Sequence, residues 1–158
     1  MLDYSDVLGM LSDEDRQVQV TARDFLEAEA MYDIADWWER GEFPAHLVPK
    51  LAEMGYLGAN LPIEYGSAGV SSTAYGLIMY ELERVDSCLR SFASVQGALV
   101  MYPIYMYGSE DQKRRYLPEM AAGRLIGCFG LTEHEGGSDP GAMKTTARLD
   151  GDSYIVSG

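Results

Sequence analysis

The sequence predicts an α+β protein: an N-terminal all-α helical domain over residues 1–123, then the opening strands of a β-domain over 124–158. Three observations carry this. Up to about residue 121, apolar residues recur at three- and four-residue spacing, the helical period. After Gly123 the period changes. Asp150-Gly151-Asp152 then gives a hairpin signal between two β-rich runs.

Ser12 with Asp15 marks a helix start, a hydroxyl followed three residues on by an acid. Val18, Val20, Ala22, Phe25, Leu26 and Ala30 form its apolar side. One helix is expected from Asp13 to Arg40, with Glu27, Glu29, Asp33 and Asp36 outward. Trp37 and Trp38 read as core or interface packing. Gly41 ends this element. Pro44 fits the first turn of a second helix, faced by Leu47, Val48, Leu51 and Met54 and stopped by Gly55 and Gly58. Asn60 to Gly69, with Pro62 and Gly66, reads as a loop. Ser71 or Ser72 caps a third helix through Leu89, with Tyr75, Ile78, Met79, Leu82 and Val85 facing the core. Arg90 is placed at the break. A fourth helix runs from Ser91 to Tyr107, kinked or shortened by Pro103. A fifth spans Glu110 to Ala121. Strands are expected at Leu125–Thr132, Lys144–Leu149 and Ser153–Ser157. Three strands with open edges do not close a sheet, so the β-domain is expected to continue beyond these residues.

The net charge of −13 disfavours nucleic acid as a partner. Lys50, Lys113 and Lys144 are the only lysines among 12 basic residues, and an acidic, lysine-poor surface suits high salt. No apolar run reaches the length of a membrane span. The acidic first residues are unlike a secretory or transit peptide, so a cytoplasmic bacterial or archaeal location is expected. Cys88 and Cys128 suggest no disulfide framework and read as small buried apolar residues.

The chemistry centres on Leu125 to Asp139. An apolar run, taken as a buried strand, opens into Thr132, Gly136-Gly137 and Ser138-Asp139. Glycines let the backbone approach phosphate oxygens, hydroxyls add donors, and Phe129 and Leu131 offer a wall to a flat ring. An ordinary strand and loop is the other reading of these residues. Glu133, His134, Glu135 and Asp139 match no usual metal spacing, and no metal site is assigned.

Read together, Cys-Phe-Gly-Leu-Thr-Glu over 128–133 and Gly-Ser-Asp over 137–139 resemble the flavin signature of the acyl-CoA dehydrogenases. Tyr107 to Pro118 is similar to the helix leading into that signature. The resemblance covers nearly all of the chain, most strongly Gly69 to Asp139. It is closest to the glutaryl-CoA branch, through Glu81-Leu-Glu-Arg-Val-Asp-Ser87, Arg90-Ser91, Ser94-Val-Gln96 and Pro103-Ile-Tyr105.

The resemblance implies FAD as cofactor, contacted by Phe129, Gly130, Leu131, Thr132, Glu133, Gly137 and Ser138, with Ser138 also bordering the acyl-CoA. It implies that Arg90 holds the distal carboxylate of a glutaryl chain, that Glu83 orients Arg90, and that Ser91 and Ser94 add hydroxyls. Arg suits this task because its fork is planar and always charged. It also implies FAD-dependent oxidation and decarboxylation of glutaryl-CoA to crotonyl-CoA, as in lysine and tryptophan degradation. A homo-oligomer, a homotetramer in the full-length form, and electron-transfer flavoprotein as acceptor follow from the same resemblance. A Trp-Ile-Thr behind the flavin and a glutamate base are expected further along, so no catalytic residue is assigned within these 158, which alone are expected to be inactive. Where the family usually has Pro and a small or amide residue, His134 and Glu135 stand here. His134 does not fix φ, and Glu135 brings negative charge toward the expected phosphates. The alternatives are a dehydrogenase of another short-chain acyl-CoA, or a non-catalytic remnant serving as an interaction module.

Overall fold

The computed structural model describes residues 8–158. The chain parts into two units, one running to Cys128 and one from Phe129 to Gly158.

Helix α1 (Asp13–Glu29) starts where its cap predicts: Ser12 Oγ accepts from the Asp15 N–H at 3.1 Å. Asp13, Glu14 and Asp15 place negative charge at the positive end of the helix. Ala22 and Leu26 are buried, and Val18 and Phe25 pack beside them. Val20, expected on that face, is 49% exposed, because it falls on the opposite side of the helical wheel from Val18, Ala22, Phe25 and Leu26. The single long helix expected to Arg40 is two. The N–H groups of Ala30 and Met31 both turn to the Leu26 carbonyl, and α2 (Ile34–Arg40) starts afresh. The bend buries Ala30 and Trp37 in one core. Gly41, at φ +62, then closes α2 with its N–H on the Trp37 and Trp38 carbonyls.

Pro44 lies in the turn before α3 (Leu47–Glu53), where its carbonyl accepts from the Leu47 N–H at 2.9 Å. The following loop holds a one-turn 3-10 helix, Ile63–Tyr65. Helix α4 (Ser72–Val85) is capped by Ser71. It does not reach Leu89. Asp86 stops it and caps α5 (Ser87–Ser94), so Arg90 sits inside α5 and not at a break. The chain then widens into a π-helix, Val95–Met101, before α6 (Tyr102–Tyr107). The Tyr102 N–H reaches back five residues to Gly97, just before Pro103, which has no N–H to offer. Helix α7 (Glu110–Ala121) matches its expected bounds, with a reciprocal cap between Ser109 and Gln112. Helix α1 packs on α4, and the larger core lies among α1–α5. A second core gathers Leu61, Tyr65, Met101, Leu117, Met120 and Ala121.

Leu125–Thr132 is not a strand. It has no hydrogen-bonded neighbour strand among the described residues, and Leu125, Ile126, Phe129 and Leu131 are 36–49% exposed. In the second unit β1 (Thr146–Asp150) pairs antiparallel with β2 (Ser153–Ser157) in register Asp150↔Ser153, around the expected Gly151-Asp152 turn. Cys88 and Cys128 are both exposed, against the expectation of burial: Cys88 lies on the outer side of α5, and Cys128 lies within the unpaired stretch. Among the described residues no helix is long and apolar enough to cross a membrane.

Candidate functional site

The corner between α4 and α5 collects the polar residues expected to meet substrate. Glu83, in the last turn of α4, accepts from Arg90 Nε at 2.6 Å and from Ser87 Oγ at 2.6 Å. The Ser87 hydroxyl first, and then Arg90, hold its carboxyl below the usual carboxylate range. Arg90 is thus gripped on its Nε side. Among the described residues no acceptor meets its two η nitrogens, and its side chain is 38% exposed. The guanidinium therefore presents a fork oriented by one carboxylate and able to receive another. Ser94 Oγ donates to the Ser91 carbonyl at 3.1 Å, which engages its proton inside α5. Ser91 is half-buried and lines an apolar hollow of about 550 Å³ with Phe43, Val48, Phe92, Val95 and Ile126.

The second unit holds the Gly-rich segment. Glu133 and Gly136 exchange two backbone hydrogen bonds of 3.2 Å, so His134 and Glu135 form the tip of a tight turn that closes without a proline. The Glu133 carboxylate is occupied internally. It accepts the N–H groups of Lys144 at 2.7 Å and Thr145 at 3.0 Å, which hold its carboxyl below the usual range. Lys144 Nζ pairs with the Glu135 carboxylate, so the charge that seemed adverse from sequence is compensated within the loop. Asp139 caps the one-turn helix Pro140–Ala142 through the Gly141 N–H at 3.1 Å.

These residues surround a hollow of about 630 Å³ whose walls include Gly130, Leu131, Thr132, Met143 and Thr145. Leu131 and Met143 give an apolar side, and Thr132 a hydroxyl. No atom lies within 4 Å of where a Gly130 Cβ would stand, and a Gly137 Cβ would meet only Thr132 Cγ2, at 4.0 Å. Neither Gly136 nor Gly137 has positive φ; Gly136 is buried in the turn, and the exposed Gly137 leaves the surface open. Phe129 and Ser138 are exposed beside this segment.

A family model described as acyl-CoA dehydrogenase, N-terminal domain, matches residues 12–124. The chain belongs to the acyl-CoA dehydrogenase family.

Among the relatives of this acyl-CoA dehydrogenase chain is the mitochondrial short-chain specific acyl-CoA dehydrogenase of Bos taurus, 37% identical over 148 residues. The match covers 94% of this chain and 36% of the relative. A 3-(aryl)acrylate reductase of Clostridium sporogenes is 40% identical over 142 residues, covering 89% of this chain and 37% of that protein. The crystal structure of a glutaryl-CoA dehydrogenase from Mycobacterium smegmatis, in complex with FADH2, superposes with a TM-score of 0.92 at 44% identity. It covers 97% of this chain and 39% of that one. The chain thus spans little more than a third of the length of these relatives.

Sequence reasoning missed three features of these two units. Asp86 carried a cap signal, an acid directly before Ser87, but the apolar period running on to Leu89 hid it. Gln96, buried in the π-helix, bonds Leu125 and Gly127 through its side chain, which no local pattern announces. The Lys144–Glu135 pair spans nine residues and depends on the turn between them.

Proposed function

We propose that this chain belongs to an FAD-dependent dehydrogenase whose acyl-CoA substrate ends in a carboxylate, glutaryl-CoA being the first candidate. The observation that carries the reading is the hold of Glu83 on Arg90 Nε at 2.6 Å, which leaves both η nitrogens for a second carboxylate. The likeness to a glutaryl-CoA dehydrogenase supports it; the likeness to a short-chain specific enzyme supports the alternative of another short-chain acyl-CoA.

In this reading Arg90 binds the distal carboxylate and Glu83 fixes the plane of the fork. Ser91 contributes a half-buried polar edge to its apolar hollow. The hollow in the second unit fits a flavin: an apolar wall at Leu131 and Met143, a hydroxyl at Thr132, and no side chain at Gly130 or Gly137. Phe129 and Thr132 would border the ring, and Gly137 and Ser138 the phosphates. Glu133 would act by fixing the loop from within, since two N–H groups already hold its carboxylate. Bound FAD would supply the oxidant that takes the β-hydrogen as hydride. The α-proton is assigned to a glutamate outside these residues, the electrons to electron-transfer flavoprotein, and the whole enzyme to a homo-oligomer.

The test is Arg90→Ala in the intact protein, with glutaryl-CoA and butyryl-CoA compared. Loss of one partner of a charge pair should lower kcat/KM for glutaryl-CoA by roughly 30-fold to several thousand-fold. Butyryl-CoA has no distal charge and should be nearly unaffected. Equal loss on both substrates would make Arg90 a structural residue and favour another short-chain acyl-CoA as substrate.

A further inference from the structure

We propose that Asp86, pinned by the Trp38 indole, is a positioning residue that sets where Arg90 presents its guanidinium to the acyl chain. This rests on the substrate reading given to Arg90 above.

Asp86 is the single residue between α4 and α5, extended at φ −161 and ψ 128, and only 6% exposed. Its N–H donates to the Leu82 carbonyl at 2.9 Å, the last bond of α4. Its carbonyl accepts from the Arg90 N–H at 3.2 Å, the first turn of α5. Oδ1 accepts from the Cys88 and Leu89 N–H groups at 2.7 and 3.0 Å. Oδ2 accepts from Trp38 Nε1 at 2.6 Å. Every polar atom of Asp86 is engaged, and its partners come from α2, α4 and α5.

That placement has leverage. Glu83 lies one turn before Asp86 on α4, and Arg90 one turn after it on α5. The 2.6 Å bond between them joins the two helices across the corner that Asp86 forms. The caps on Oδ1 set the direction of α5, and the Trp38 N–H fixes the carboxylate that supplies them. Trp38 is itself 69% exposed, so burying its ring is not what its position serves. The indole N–H is a donor only, matched here to a charged acceptor in a desolvated corner. A misplacement of about 1 Å at a binding group can cost as much as ~100-fold in rate.

The test measures kcat and KM of the intact protein for glutaryl-CoA and butyryl-CoA in wild type, Trp38→Phe, Asp86→Asn and Arg90→Ala. Trp38→Phe removes one N–H from an exposed ring and should leave folding intact. The expected result is a rise of about 3- to 10-fold in KM for glutaryl-CoA, with kcat and both butyryl-CoA constants within about twofold. Asp86→Asn keeps a capping oxygen but turns an amide donor toward the indole donor, and should shift the same KM at least as far. A purely structural role would lower the active fraction for both substrates alike. That outcome, or an unchanged glutaryl-CoA KM in Trp38→Phe, overturns the proposal while Arg90→Ala still discriminates the substrates. If Arg90→Ala fails to discriminate, the substrate reading fails and the positioning role falls with it.

Discussion

The Gly127 N–H donates to Gln96 Oε1 at 2.9 Å, and through this bond a π-helix holds a stretch of chain that has no strand partner among the described residues. The same side chain donates to the carbonyls of Leu125 at 2.8 Å and Met120 at 3.2 Å. Gln96 is 1% exposed, so the amide is satisfied entirely by protein. Gln96→Leu would keep the bulk and strand these partners. The expected cost is about 2–3 kcal/mol, read by chemical denaturation, with faster hydrogen exchange at the Gly127 amide. Unchanged exchange would mean that water replaces the side chain at no loss.

Glu81 gives a test by acid. It is fully buried in α4 and accepts from Arg23, Arg84 and Gln19 at 2.8–3.2 Å. Burial pushes its carboxyl up, but Arg23, Arg84 and Gln19 together outweigh that and hold it below the ordinary value. A carboxyl with a lowered folded pKa adds stability that is complete above its ordinary value of 4.5 and is lost as pH falls through the folded value. Glu81→Gln should cost about 2–3 kcal/mol at pH 7, less than a wholly buried pair because Arg23 is 45% exposed. The gap from wild type should narrow as pH drops below the ordinary value. A gap that stays constant with pH would show that the charge of Glu81 contributes nothing.

Gly97 sits where the π-helix meets the turn at Gly58. A Cβ on Gly97 would stand 3.0 Å from the Gly58 nitrogen and 3.1 Å from its Cα. The obstacle is backbone, and Gly58 is held at φ +69. Gly97→Ala should therefore destabilise by about 1–3 kcal/mol despite the better helix propensity of Ala. Thermal unfolding checks this; a stabilised variant would mean the two segments can part freely.

The Lys144–Glu135 pair should set the sign of charge at the hollow of the second unit, where FAD is proposed to bind. Lys144→Gln would leave Glu135 uncompensated and weaken FAD binding by about 3- to 10-fold at low salt, while Glu135→Gln would strengthen it. Both shifts should shrink at high ionic strength and vanish for riboflavin, which carries no phosphate. Quenching of flavin fluorescence gives the affinities. Shifts of the same direction in both variants would show a fold effect in place of an electrostatic one.

What could be read from sequence divides along the range of the forces involved. Helix α7 and the starts of α1 and α4 were legible because caps act over three residues: Ser12 on Asp15, Ser71 on Ala74. The seven-residue spacing of Glu83 and Arg90 also survived, although the two lie on different helices. The bend at residues 30–33 was not legible. Neither Gly nor Pro marks it, and burial of Ala30 and Trp37 rewards it only once the other helices are in place. Leu125–Thr132 had the composition of a strand, but a strand is a relation between two segments.

The π-helix at Val95–Met101 gives the length of this segment a meaning separate from its composition. In an α-helix each residue advances the azimuth by about 100°. The π-helix fits about one residue more between the same ends, so tightening it to the α form at unchanged length would add that residue's angle. All of α6 would then rotate by that angle, carrying Tyr105 away from Tyr65, whose ring centroid lies 5.9 Å from its own. Substitutions here are matters of degree, but the width of the turn is a matter of phase. The reading frame of the helix, as much as any side chain in it, is what the rest of the unit is built to match.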